Sequence, residues 1–561
     1  MSNAQDVSMM FRAQVDGRCQ IHRIDPDRDK NDPQDCEIWA NEWVEEASKH
    51  IPAFGDDIQT QDAEISWRFI TNSGQDAGVI RPVIGARGLP FYPGSSMKGA
   101  FRQACKKRLP DRVDRYCGDR ATLLPGILRF HGSYPTSAAW TKNLVDIVHP
   151  QQGWQVQSVD TTHKDGGAFA QISLYQPRLR FGISSTIELP EAEWKEIWNI
   201  WNVALSNGIG CRVSAGYGKP MVKPESALYT RVLTGQGTAS MLINKIPEFR
   251  PNIFRSALRG HALRIFGGLT DADTANAIVN QLFGGIQPDA VWGLLGMEFR
   301  QLENFDPKRH GRQGHQYHYT VKGEMTWCLT QAIESEKEDA LKKLVFSLMR
   351  FAMLLGGFGK GWRRVDHRKF YDNENYDKLI GCHWTWRDPV FMKNEPEDQL
   401  NEVAGLINRV QGAAEGWMRL WGYEPNRDRA TSWREAWCKE RVQVWGRVAE
   451  YKGDSVAIGW LHQGYDEVLQ GGNLVPNKQL KKTVVAGFLG NKHNPTRIGR
   501  VWHRMYPVIR KITKSDGQKS IVFADECLEL LTFFPDAQDQ DSKDFNEYLN
   551  SPRNRDFKRL W

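Results

Sequence analysis

The chain has 561 residues, enough for three or four domains' worth of sequence or for two domains with large insertions. At 40% hydrophobic and 25% charged residues, disordered, collagen-like and coiled-coil architectures are excluded, and no apolar stretch reaches the roughly 20 residues that a membrane helix needs. The net charge of +7, from 74 basic and 67 acidic residues, allows an anionic partner without requiring one.

In chain order, residues 9 to 24 read as a strand, Ile38 to His50 as a helix, and AEISWRFITNS as a second strand. After the turn at Pro93 and Gly94, Ser95 or Ser96 is expected to cap a helix running from Met97 to Leu109. ISLYQPRLRFGISSTIEL reads as a strand, EAEWKEIWNIWNVALSNG as a helix ending at Gly208, and GIGCRVSAGYGKPMV as a glycine-rich loop entering a strand. The same grammar then restarts. Lys98-Gly-Ala-Phe-Arg102 lies over Arg255-Ser-Ala-Leu-Arg259, GILRFHGSY over WGLLGMEFRQL, and the first glycine loop over GGFGKGWRR at 356 to 364. Two copies of one α+β domain are therefore expected, over 1–230 and 231–561. Residues 366–440 read as an insertion, and the strands VQVWGRVAEY, DSVAIGWLH and IVFADECLELLTFF as completing the second copy. The tail from Asp536 reads as loosely ordered.

Glycines at 208, 210, 216, 218 and 357 would let backbone approach a phosphodiester and aim amides at it. Ser95, Ser96, Lys98, Arg102, Arg212, Lys219, Arg255, Arg259, Lys360, Arg363 and Arg364 supply hydroxyls and cations suited to phosphate. Nine scattered cysteines without a CxxC fit reduced, buried thiols and no zinc site. The start has no basic and apolar leader, so a cytoplasmic protein is expected.

The pattern GhGxxxxxGhG at 208 to 218, where h is apolar, together with PGSSMKGAFR about 115 residues earlier, resembles the RAMP superfamily of RNA-binding proteins in CRISPR-Cas systems. PGSSxKGxxR narrows the resemblance to backbone subunits of type III effector complexes. The likeness covers residues 60 to 230 well and 231 to 365 more loosely. It implies tandem ferredoxin-like (RRM-like) domains, a guide RNA, a complementary target RNA and neighbouring complex subunits as partners. It also implies a thumb hairpin near 145–165, carrying His149, Trp154 and His163.

In cleaving members, an aspartate in a context like D-x-P-V-I-R precedes the PGSS helix. Asp76, followed by Val79-Ile80-Arg81, matches it, with Gly78 in place of the proline. A carboxylate there can serve as a base, as a ligand to a divalent cation (Mg2+ or Mn2+), or as a positioning group when a 2'-hydroxyl attacks in line. The second copy has no aspartate at that place and is expected to bind without cutting. Two other functions are compatible with the same residues: a non-catalytic guide-binding scaffold, and an endoribonuclease that processes the guide.

Overall fold

The computed structural model describes residues 33–47, 50–71, 74–76, 79–119, 121–148, 169–221, 224, 226–285, 291–303, 305–310, 316–371, 379–386, 390–391, 393–485, 500–513 and 517–561. It is an α+β protein in which one connectivity occurs three times.

The first unit is preceded by helix α1 (Asp35–Glu46) and begins with β1 (Gln59–Glu64). A short hairpin follows, β2 (Gly74–Asp76) and β3 (Val79–Arg81), then α2 (Gly94–Arg108) and β4 (Leu128–Pro135). Next come β5 (Val145–Val148), β6 (Phe169–Ile172), β7 (Arg178–Ser185) and α3 (Glu191–Ser206). β7 pairs antiparallel with both β1 and β4, and Ile65 forms an antiparallel bridge to Pro220. Numbered along the chain, the four segments stand in the order fourth, first, third, second. Met97 and Phe101 of α2 and Ile197 and Trp201 of α3 pack on Phe181 and Ile183 of the sheet, all nearly solvent-free. Each such side chain contributes roughly 1.5–3 kcal/mol by leaving water.

The second unit repeats the order. β8 (Ala227–Thr238) leads to α4 (Asn252–Gly267) and α5 (Ala272–Phe283), then β9 (Leu295–Gln301), β10 (Gln316–Leu329), α6 (Ser335–Leu354) and β11 (Cys382–Trp386). The sheet runs β11, β8, β10, β9, antiparallel throughout. Its fourth strand thus comes from within 366–440, the stretch read as an insertion. The alternation in CHWTW buries Cys382, Trp384 and Trp386. The rest of that stretch supplies α7 (Val403–Leu420), which packs on α6.

The last block does not complete the second sheet; its strands pair with one another. β12 (Gln443–Ala449) is followed by α8 (Val456–His462), a hairpin of β13 (Asp466–Gln470) and β14 (Asn473–Asn477), β15 (Val501–Thr513), β16 (Lys519–Phe533), α9 (Gln540–Leu549) and β17 (Lys558–Arg559). The sheet order β17, β12, β16, β15 is again fourth, first, third, second. Two expectations fail here. DSVAIGWLH is not a strand: Ser455 caps Ile458 N–H and opens a helix. The tail is not loose either, because Phe545 and Tyr548 of α9 pack on Trp460 and Phe533.

Candidate nucleic-acid interface

The start of α2 is built on a close approach. A side chain on Gly94 would meet Phe130 O at 2.0 Å, so only glycine lets the helix begin against β4. The N-cap is Pro93, not a serine, and no side chain caps the helix. Ser95, Ser96 and Lys98 stand exposed beside first-turn amides, and this turn has no acidic residue. Such a terminus favours an anion. Arg102 instead turns inward, donating to Gly118 O at 2.7 Å and pairing with Asp114 at 3.6 Å.

The glycine loop after α3 closes on itself and on residues 68–70, the stretch that follows β1. Ile209 N donates to Gly218 O, Gly218 N to Arg68 O and Cys211 N to Ile70 O. Gly208, Gly210, Gly216 and Gly218 all have positive φ, and a side chain on Gly218 would meet Ile209 O at 1.8 Å. The apolar positions of the pattern, Ile209 and Tyr217, are buried as pegs. At the loop's tip Arg212 is exposed and holds a left-handed φ of 56°. Lys219 is only 2% exposed, and its ammonium donates to Asn207 O, so its charge serves the end of α3.

Asp76 lies in a strand, where its backbone pairs with Val79 across the β2–β3 hairpin. β3 runs parallel to β6, and β6 pairs with β5. One four-stranded sheet, β2, β3, β6, β5, therefore joins the candidate catalytic strand to the two strands flanking residues 149–168. His149, Trp154 and His163, the thumb candidates, lie outside the described residues, as does the side chain of Asp76.

Beneath this sheet lies a buried ion-pair network that sequence reasoning missed. Asp146, fully buried, accepts from Tyr217 OH and Gln171 at 3.1 Å each and from Arg250. Arg68, also fully buried, forms a fork on Glu248 at 2.9 and 2.6 Å, and Trp67 donates to the same carboxylate. Burial and the nearby Arg68 pull the Arg250 guanidinium down to about 9. Segment 247–251, which leads from β8 into α4 of the second unit, is thus clamped to the first unit by two buried pairs. An arginine flanked by Trp67 and Phe69 was the available signal for Arg68; nothing local marked Glu248 as its counterpart, or Asp146 as that of Arg250.

In the second unit, Arg255 donates to Phe283 O and Arg259 to Asn280 Oδ1, so both brace α4 on α5. Burial, then the charges of Arg259 and the first unit's Arg212, lower Arg255 to about 10. The second glycine loop is largely taken up by the third unit. Arg504 of β15 donates to Gly356 O, Arg364 O and Cys382 O, and a side chain on Gly357 would strike its guanidinium. Arg364 donates to Val501 O, and Arg363 forms an ion pair with Glu435. Lys360 alone of that loop's candidate cations is exposed. The first loop meets its neighbour similarly, with Gly216 against Met297 of β9. Each glycine loop therefore packs on the second strand of the next unit.

The third unit fills its own helix start. Glu529 on β16 accepts from Ser455 Oγ at 2.5 Å and from the amides of Val456 and Ala457, backed by Arg447 and His503. These donors hold the Glu529 carboxyl below its ordinary value against the opposing effect of burial. The place that stands open at α2 is occupied here by an internal carboxylate.

Among the described residues, no group of three or more His, Cys, Asp and Glu is arranged to hold a metal ion, and no helix is long and apolar enough to cross a membrane. No family model and no curated protein matches the chain. Among solved structures it is similar to a chain in "Cryo-EM structure of the Type III-B Cmr-beta bound to cognate target RNA", at 20% identity and a TM-score of 0.24, over 39% of this chain and 82% of that one. It is also similar to a chain in "Type IV-B CRISPR Complex", at 15% identity and a TM-score of 0.20, over 30% and 90%. At such scores the likeness is local to a minority of the chain.

Proposed function

We propose that the chain is an RNA-binding backbone subunit of a type III CRISPR RNA-guided complex, built from tandem ferredoxin-like RAMP domains, whose first domain cleaves bound target RNA. The observation that carries this reading is the first unit's geometry. The open start of α2, the tip of the glycine loop at Arg212 and the hairpin bearing Asp76 all belong to connections at one end of its sheet, where β1 ends and the segment at Pro220 begins. Lys98 and Arg212 would hold guide phosphates while base pairing supplies sequence specificity. Asp76, on a strand tied to the base of the thumb, would act where a wedge splays the duplex and aligns a 2'-hydroxyl for attack. A divalent cation, with Asp76 as its ligand from this chain, would supply charge neutralisation at the phosphate. The second domain binds without cutting. The third unit, its helix start filled by Glu529, takes no phosphate there. Neighbouring subunits of the complex are the protein partners, in the cytoplasm.

The complex assembled with its guide RNA and given end-labelled complementary RNA tests this directly. Asp76→Ala should abolish one cleavage position, as should a chelator, with target binding retained. An unchanged ladder would leave a non-catalytic scaffold; metal-independent cutting of the repeat RNA alone would identify a guide-processing enzyme.

A further inference from the structure

The two buried ion pairs made by segment 247–251 of the second unit lead to the same two strands of the first. Arg250 pairs with Asp146, which lies on β5. Glu248 takes two nitrogens of Arg68, and the third, Nη1, donates to Asn143 O at 2.9 Å and to Ser173 Oγ at 2.8 Å. Asn143 stands two residues before β5, and Ser173 directly follows β6. The second unit thus grips this strand pair at two points.

The gripped strands belong to the small sheet that includes Asp76. Asp146 stands opposite Gln171, Gln171 opposite Ile80 and Ile80 opposite Gln75, one rung through all four strands, with Asp76 the next residue along. Side chains tie the rung as well: Gln171 donates to Asp146 Oδ2 at 3.1 Å, and Ile80 packs with Trp67 and Tyr217. Tyr217, from the glycine loop that carries Arg212, donates to the same oxygen at 3.1 Å. One carboxylate therefore collects donors from the sheet behind Asp76, from the glycine loop and from the second unit. Such a buried pair adds little net stability over apolar groups of equal volume. Its particular contribution is direction, because three donors on one carboxylate fix β5 within the narrow tolerance of hydrogen bonds. In-line attack is sensitive to displacements of about 1 Å.

We propose that Arg250 is a positioning residue for cleavage by the first unit: by holding Asp146 it sets the sheet on which Asp76 lies, so that the cutting centre is complete only with the second unit docked. The second unit then takes part in a reaction for which it supplies no cutting group. This inference rests on the reading of Asp76 as the residue that cuts target RNA.

Single-turnover cleavage of end-labelled target RNA, with the assembled complex in excess, tests it alongside target affinity and guide protection. The variant is Asp146→Asn combined with Arg250→Met, which removes both charges and strands neither. Cleavage at the Asp76-dependent position should slow by roughly tenfold to a hundredfold. Target affinity, guide protection and cleavage at any position that survives Asp76→Ala should stay unchanged. Arg250→Lys keeps the charge with a less directional head, so it should fold whatever the double variant does and slow the same position severalfold. A wild-type rate at that position in both variants, with Asp76→Ala still abolishing it, would overturn the proposal and leave the cleavage reading intact. Equal slowing at every position, or loss of target binding, would also overturn it, because the pair would then be a structural tie alone. A ladder that Asp76→Ala leaves unchanged would overturn the cleavage reading itself, and the proposal with it.

Discussion

At the scale of single residues, the strongest consequences come from charges taken out of water. Arg68 and Glu248 are 180 positions apart and meet with almost no solvent contact, so Glu248→Ala would strand a guanidinium in the interior. Losing one partner of a buried pair costs about 3–5 kcal/mol. Urea unfolding of this variant should show a loss of that order, and a loss below about 1 kcal/mol would mean that the pair is not buried in solution. Glu298 of β9 makes a pH-dependent prediction. It faces Lys219 of the first unit and Arg300 and Glu324 of its own sheet, and burial raises its carboxyl from 4.5 to about 7. The folded chain therefore keeps a proton that the unfolded chain has released between pH 4.5 and 7, so stability falls as pH rises through that window. Glu298→Gln should stabilise by up to about 3 kcal/mol at pH 8 and by little at pH 4.5, read as thermal midpoints at both values. Asp76 was singled out in the sequence through its neighbours Val79, Ile80 and Arg81, and its role rests on the cleavage assay. Asp146 and Glu248 were not, because what distinguishes them is a partner brought in by the fold.

At the scale of elements, glycine positions separate the places where backbone contact is tight from those where it is open. Gly94 and Gly218 each leave too little room for a side chain against a backbone carbonyl, whereas Gly99 has nothing within 4 Å and lies in the middle of α2. Gly99→Ala should be neutral or stabilising by up to about 1 kcal/mol through helix propensity. Gly218→Ala should cost several times that and displace the Arg212 loop, which thermal melts and weakened RNA binding would report. α2, α3 and the first glycine loop were readable because their signals are local: helical spacing of Met97, Phe101 and Cys105, and paired glycines. α8 was misread because Val456, Ile458 and Trp460 fit a two-residue alternation. The tie that makes it helical is Glu529, more than 70 positions away, accepting from its first amides. β11 was overlooked because a five-residue strand in a tryptophan-rich stretch gains meaning only from its pairing with β8.

At the scale of the whole molecule, the internal repeat was visible twice in the sequence and occurs three times in the structure. The first two units have PGSSMKGAFR and PNIFRSALR at their helix starts; the third has no such text there, and an internal carboxylate meets its helix start, while its strand order is the same. The contact of each glycine loop with the next unit's second strand gives neighbouring units a common joint. At the second joint, Arg504 is gripped by three carbonyls, and Arg504→Ala should loosen the third unit and lower the unfolding temperature by several degrees in calorimetry. Guide-RNA binding by the first unit is the claim on which the functional reading stands. Its most direct measurement is nuclease protection and salt-dependent affinity of the guide RNA, comparing wild type with the exposed pair Lys98→Glu and Arg212→Glu. The account predicts that the paired reversal uncovers a guide segment, weakens binding at least tenfold and flattens the salt dependence, because phosphate contacts are lost. Unchanged protection and affinity in a folded variant would contradict it.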